Sequence, residues 1–168
     1  EFEEKFCELS GAKYSISVNS ATSGLHAALV AAGVQPGDEV IQPALTVVMN
    51  AFVTIQCGAI PVFADINPHT WNIDVNTIEE KITDKTKVIM AVSLFGLPLD
   101  IEPILKLAKD RGIIVIDDSA ETICGLYNDQ FAGTHSDLAV YSFENKKHMT
   151  SGSEGGMVIT SNEDFATK

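Results

Sequence analysis

Short runs of β-branched and other apolar residues alternate with segments of helical period along almost the whole chain. A strand flanked in sequence by helices has two faces to bury, so it reads as a continuous apolar run. Successive strands joined by helices run parallel. The run IleIleValIle at 113–116 is of this kind. The expected fold is therefore α/β, a mainly parallel sheet sandwiched by helices. Strands are expected at 14–18, 39–42, 61–64, 87–92, 113–117, 138–142 and 157–160, and helices at 21–32, 46–56, 75–82 and 101–111. Gly33 and Gly112 stand where two of those helices should stop. The stretch GLYNDQFAG at 125–133 sets turn residues between short apolar flanks, the pattern of a β-hairpin on the rim.

A hydrophobic content of 45% over 168 residues is enough for one buried core. The formal charge of −12 and the single arginine, Arg111, exclude a nucleic-acid surface, because phosphate backbones need clustered Lys and Arg. Cys7, Cys57 and Cys124 are odd in number and lack CxxC spacing, which fits a reducing cytoplasm better than a disulfide framework or zinc site. No apolar run approaches the roughly 20 residues of a membrane helix. The acidic start EFEEKF is unlike a signal peptide, so a soluble protein is expected. Both ends read as cut: the chain opens within helical sequence without a methionine and closes at NEDFATK, where another helix begins.

Sheets of this class place their chemistry at the carboxyl ends of the strands. That rule selects the segments at 19–23, 43–46, 117–121 and 142–147. Asn19-Ser20-Ala21-Thr22-Ser23-Gly24 combines hydroxyls, small side chains and a helix start, which suits a phosphate; taken alone, an ordinary Ser/Thr helix cap is the better reading. Asp117 and Asp118 close a strong strand, so one can face a ligand while the other caps a helix. With no second acid cluster nearby, a metal site is the weaker reading. Lys146 and Lys147 precede the glycine-rich loop ThrSerGlySerGluGlyGly, which allows either a desolvated, reactive amine or a solvated surface lysine. His26, His69, His135 and His148 lack metal-ligand spacing and are read as structural. The hydrolase signatures GxSxG and HExxH are absent.

Five ordered blocks, NSATSGLHAAL (19–29), PGDEVIQPALT (36–46), GAIPVFADINPHTWNID (58–74), VIDDSAE (115–121) and YSFENKKHMTSGSEGGMV (141–158), resemble the DegT/DnrJ/EryC1/StrS sugar aminotransferases. The resemblance spans almost the whole chain. It implies the large domain of a fold-type I enzyme dependent on pyridoxal 5′-phosphate (PLP), with residues 1–168 lacking a small C-terminal domain. Its Ser-Phe-x-x-x-Lys block, followed by an acidic-Gly-Gly turn, selects Lys147 rather than Lys146 as the Schiff-base lysine, and implies that Ser142 touches the cofactor phosphate. Thr22 and Ser23 would add phosphate contacts, and Asp118 would pair with the pyridine nitrogen. Glu121 occupies a place where the family often has glutamine or histidine. Val47 stands where the family commonly places an aromatic ring to stack on the cofactor.

The chemistry explains these residue types. A carboxylate beside the ring nitrogen keeps it protonated, so the ring can accept electrons, and a lysine displaced from the cofactor can move a proton. The resemblance further implies a nucleotide-linked keto sugar as substrate, glutamate as amino donor, and a homodimer with a shared active site. A sugar dehydratase on the same scaffold would replace the lysine with histidine. A non-catalytic homologue or fragment is a third reading. A plain nucleotide-binding domain would need a glycine-rich phosphate loop, which is missing.

Overall fold

The computed structural model describes residues 1–168. A seven-stranded sheet runs through the molecule in the order β1 (Tyr14–Val18), β9 (Gly156–Thr160), β8 (Leu138–Ser142), β5 (Ile114–Asp118), β4 (Thr86–Val92), β2 (Glu39–Pro43), β3 (Ile60–Ala64). The pairs among β8, β5, β4, β2 and β3 are all parallel. Only β9 is reversed, antiparallel to both β8 and β1. The small hairpin of β6 (Leu126–Tyr127) and β7 (Gln130–Phe131) stands apart, closed by Asn128 and Asp129 at φ 49° and 61°. Those angles are what a two-residue type I′ turn demands, and Asn and Asp are among the residues that tolerate them.

The alternation of side chains along each strand builds two cores. Val40, Val88, Met90, Ile116, Leu138, Val140 and Val158 point to one face, where they meet α2 (Ala21–Ala31) and α3 (Met49–Gln56). The opposite face is covered in two patches. Ile41, Ile89, Ala91 and Val115 pack beneath α4 (Val75–Glu79) and α5 (Glu102–Lys109). Ala139, Tyr141, Met157 and Ile159 pack beneath Phe6 of α1 (Phe2–Ser10). A last short helix, α6 (Glu163–Ala166), lies at the end of the chain. No helix is long and apolar enough to cross a membrane.

Every expected strand forms, within a residue or two at the ends, where boundaries are softest. Helix α5, expected over 101–111, is trimmed at both ends to Glu102–Lys109, and two other helices are cut by three residues at one end. The segment expected as a helix over 46–56 becomes helical only at Met49, because 44–46 bend away from β2 and the helix starts behind the adjacent β-branched pair Val47 and Val48. The helix expected over 75–82 ends at Glu79. Lys81 and Ile82 donate to Ile78 and Glu79, three residues back, which tightens the last turn into 3₁₀ geometry.

Candidate active site

Because β8 and β9 are antiparallel, the chain leaves the carboxyl end of β8 and returns to the same edge after residues 143–155. That loop carries Lys147. Phe143 anchors it, with its amide donating to Gly155 O at 2.8 Å and its carbonyl accepting from Ser151 N at 3.2 Å. The loop also delivers β9 against the start of α2. A Cβ on Gly156 would lie 2.8 Å from Ala21 N and from Ser20 C, and 2.9 Å from Tyr141 O, all of them backbone atoms. The second glycine of the acidic-Gly-Gly turn is thus the residue that lets the helix start sit beside the lysine loop.

A cavity of about 260 Å³ opens at this edge, close to the lower end of the ~300–1,000 Å³ usual for small-molecule sites. Thr22, Val47, Asp118, Glu121, Ser142 and Lys147 all line it, with Ser20, Thr46, Asn50, Glu144 and Glu154. Ser23 does not. It lines a separate groove with His26 and Val30, while its amide donates to the N-cap hydroxyl of Ser20 at 3.2 Å. The amides of Ala21 and Thr22, the first two residues of α2, have no intrahelical acceptor, and both residues line the cavity with Ser20.

Lys147 reaches into the cavity with Nζ 3.1 Å from Glu121 Oε1, both side chains about four-fifths covered. The other oxygen of Glu121 accepts from the amide of Phe95 at 3.1 Å. The second negative charge that Glu121 brings is therefore paired. Asp118 is buried at the end of β5, with Oδ2 accepting from Asn50 Nδ2 at 2.9 Å and Oδ1 from the amide of Ala120 at 3.1 Å. Burial pushes its carboxyl up. The hydrogen bonds from Asn50 and Ala120 and the nearby Lys147 charge work against that. Val47 is half-exposed on the cavity wall, and no aromatic ring is among the lining residues. The aromatic groups lie at the rim instead. Trp71 and Phe95 meet edge to face at 5.9 Å, and Phe95 lines the outer mouth with Lys146 and the exposed His148.

Sequence reasoning missed Asn50. The signal was a polar residue, with Thr54 four residues on, inside the apolar helical segment VVMNAFVTI. Both side chains prove fully buried. It also missed the tethering of the Leu94–Gly96 turn, where Asn72 accepts from the Leu94 amide at 3.0 Å and donates to Leu97 O at 3.1 Å.

An open, mainly parallel sheet with a lysine, a buried acid and a helix start converging at its carboxyl edge is the scaffold of fold-type I PLP enzymes. The chain belongs to the DegT/DnrJ/EryC1/StrS aminotransferase family, whose model matches residues 1–168. It is 44% identical over 168 residues to GDP-perosamine synthase of Caulobacter vibrioides, which covers 100% of this chain and 45% of that protein. The aminotransferase from Psychrobacter cryohalolentis matches its fold with a TM-score of 0.95 at 37% identity, over 98% of this chain and 42% of that one. The E. coli GDP-4-keto-6-deoxy-D-mannose-3-dehydratase, solved with bound hydrated PLP, matches with a TM-score of 0.92 at 30% identity, over 98% and 44%. The chain thus spans a little under half the length of these relatives.

PLP is the cofactor that goes with this scaffold, and the residues present suit it. The cavity offers an amine, a carboxylate more than nine-tenths buried, and the donors of a helix start for a phosphate.

Proposed function

We propose that this chain is the cofactor-holding part of an enzyme that transfers an amino group, with glutamate as donor, to a keto group of a nucleotide-linked sugar in amino-sugar or surface-polysaccharide biosynthesis. The observation that carries this reading is the convergence of Lys147, Asp118 and the α2 start on one cavity. PLP bound there supplies an electron sink for the pair left when a substrate C–H bond breaks. Asp118 holds a proton at the ring nitrogen. Lys147 Nζ would hold the cofactor and serve as the base that moves a proton at the reacting carbon, with Glu121 keeping it in the cavity. Thr22 and Ser142 orient the phosphate, and Val47 gives apolar contact in place of a stacked ring. Ser23 acts on the phosphate only indirectly, by fixing the Ser20 cap.

Amination is favoured over dehydration because the amine of Lys147 lines the cavity, whereas His148 is exposed at the outer mouth. We further propose that residues 1–168 form the large domain, completed by a smaller one and by a second subunit in a cytoplasmic homodimer. Exposed Val48, Phe52 and Ile55 of the α3 segment, beside the cavity-lining Val47, and three free cysteines support this. The test is to load the full-length protein with PLP, record its visible absorbance, and screen amination against a panel of keto-sugar nucleotides. A visible band that Lys147→Ala removes, and an aminated product, are expected. A protein without that band, or a band that survives Lys147→Ala, overturns the reading.

A further inference from the structure

Asn50 is fully buried on α3, 68 residues from Asp118 in sequence, yet its amide faces that carboxylate across the cavity floor. Its Nδ2 has two acceptors, Asp118 Oδ2 at 2.9 Å and Met90 Sδ at 3.2 Å. Its Oδ1 accepts from Thr46 Oγ1 at 3.1 Å. Both ends of the amide are therefore engaged, and the NH₂ end is the one a carboxylate requires. Thr54 Oγ1 in turn donates to the Asn50 carbonyl at 2.9 Å, bracing the helix turn beneath it. With Ala120 N on the other oxygen, each Asp118 oxygen has a protein donor, and the residue lines the cavity.

We propose that Asn50 is the positioning residue of the cofactor-facing acid. By donating to Oδ2 it fixes the Asp118 carboxyl plane and sustains its negative charge, so that the acid can hold a proton on a ring nitrogen. The inference rests on the proposed function. Its chemistry is specific to a neutral donor: an apolar residue leaves the carboxylate undersolvated, and a second carboxylate adds a like charge to a neighbourhood that already contains Asp117 and Glu121 against the single Lys147.

The experiment uses the full-length protein with PLP labelled at the ring nitrogen. Cofactor affinity and the nitrogen resonance are followed across pH for wild type, Asn50→Leu and Asn50→Asp. Wild type should keep a protonated ring nitrogen throughout. Asn50→Leu should bind PLP about tenfold to a hundredfold more weakly, the loss of one charge-assisted hydrogen bond, and lose ring protonation as pH rises. Asn50→Asp should match wild type in acid, where its new carboxyl is protonated and donates, and fail as that carboxyl ionises. If the Leu variant does not fold, the Asp variant decides by its pH profile. Wild-type affinity and protonation in a folded Asn50→Leu, or an Asn50→Asp variant insensitive to pH, overturns the role of Asn50 alone. Wild type that does not bind PLP overturns this inference together with the proposed function.

Discussion

Asp117 and Asp118 are neighbours on one strand, carry the same group, and are 3% and 5% exposed, yet they lie in different surroundings. Asp118 meets Asn50 and the cavity. Asp117 points through the opposite face, where Oδ1 accepts from Ser93 Oγ at 3.2 Å and Ser119 Oγ at 3.0 Å, and it lines no cavity at this edge. Burial pushes Asp117 up to about 7, with the Asp118 charge adding to it and the two serine hydroxyls opposing it. The two-residue period of a strand thus splits a pair of identical side chains into one acid open to chemistry and one that ties loops together. Ser93 and Ser119 begin the segments that carry Phe95 and Glu121, so the sealed acid braces the rim of the site.

The largest expected difference is in turnover. In the full-length enzyme, Asp118→Asn should cost about a hundredfold or more in rate with little loss of fold, while Asp117→Asn should keep most activity. Steady-state rates and thermal melts check this, and an equal loss from both substitutions breaks the comparison. Next, Gly156→Ala should destabilise by about 1–3 kcal/mol and weaken PLP binding, since its Cβ meets backbone of the α2 start that cannot move aside. Denaturant midpoints and cofactor titration read both effects, and unchanged values would mean that the approach of β9 to α2 is slack.

The third prediction concerns pH. A carboxyl raised in the folded state contributes stability that is fully present below its unfolded value and is lost as pH rises through about 7. Stability of the cofactor-free protein should therefore fall between about pH 4 and about pH 7 and level off above. Asp117→Asn should remove its share of that fall, worth more than about 1 kcal/mol, leaving the share of Asp118. Urea midpoints at the two pH values decide it, and a variant with the full wild-type slope would place the raised acid elsewhere. The smallest effect is expected from Ser93→Ala, about 1 kcal/mol from one hydroxyl that both donates to Asp117 and accepts from Leu99 N. It should be read in stability rather than in the pH profile of turnover.

The sequence by itself determined the seven strands, the hairpin and the covering helices, because each is a local signal: short continuous apolar runs for strands buried on both faces, a 3.6-residue period for helices, and turn residues for the hairpin. Ser142, Lys147 and the Glu154-Gly155-Gly156 turn lie within one short stretch of chain, where the residues alone left Lys146 and Lys147 open and the family resemblance selected Lys147, as it did Asp118. The tertiary structure alone decided that Ser23 lies outside the cavity, that Glu121 pairs with Lys147, and that Asn50 donates to Asp118. These depend on contacts between residues 26 to 68 positions apart, or on how α2 sits over β9. Local periodicity says that a side chain is buried but not against what. The partner is chosen only when the sheet order brings β8, β5 and α3 to one edge.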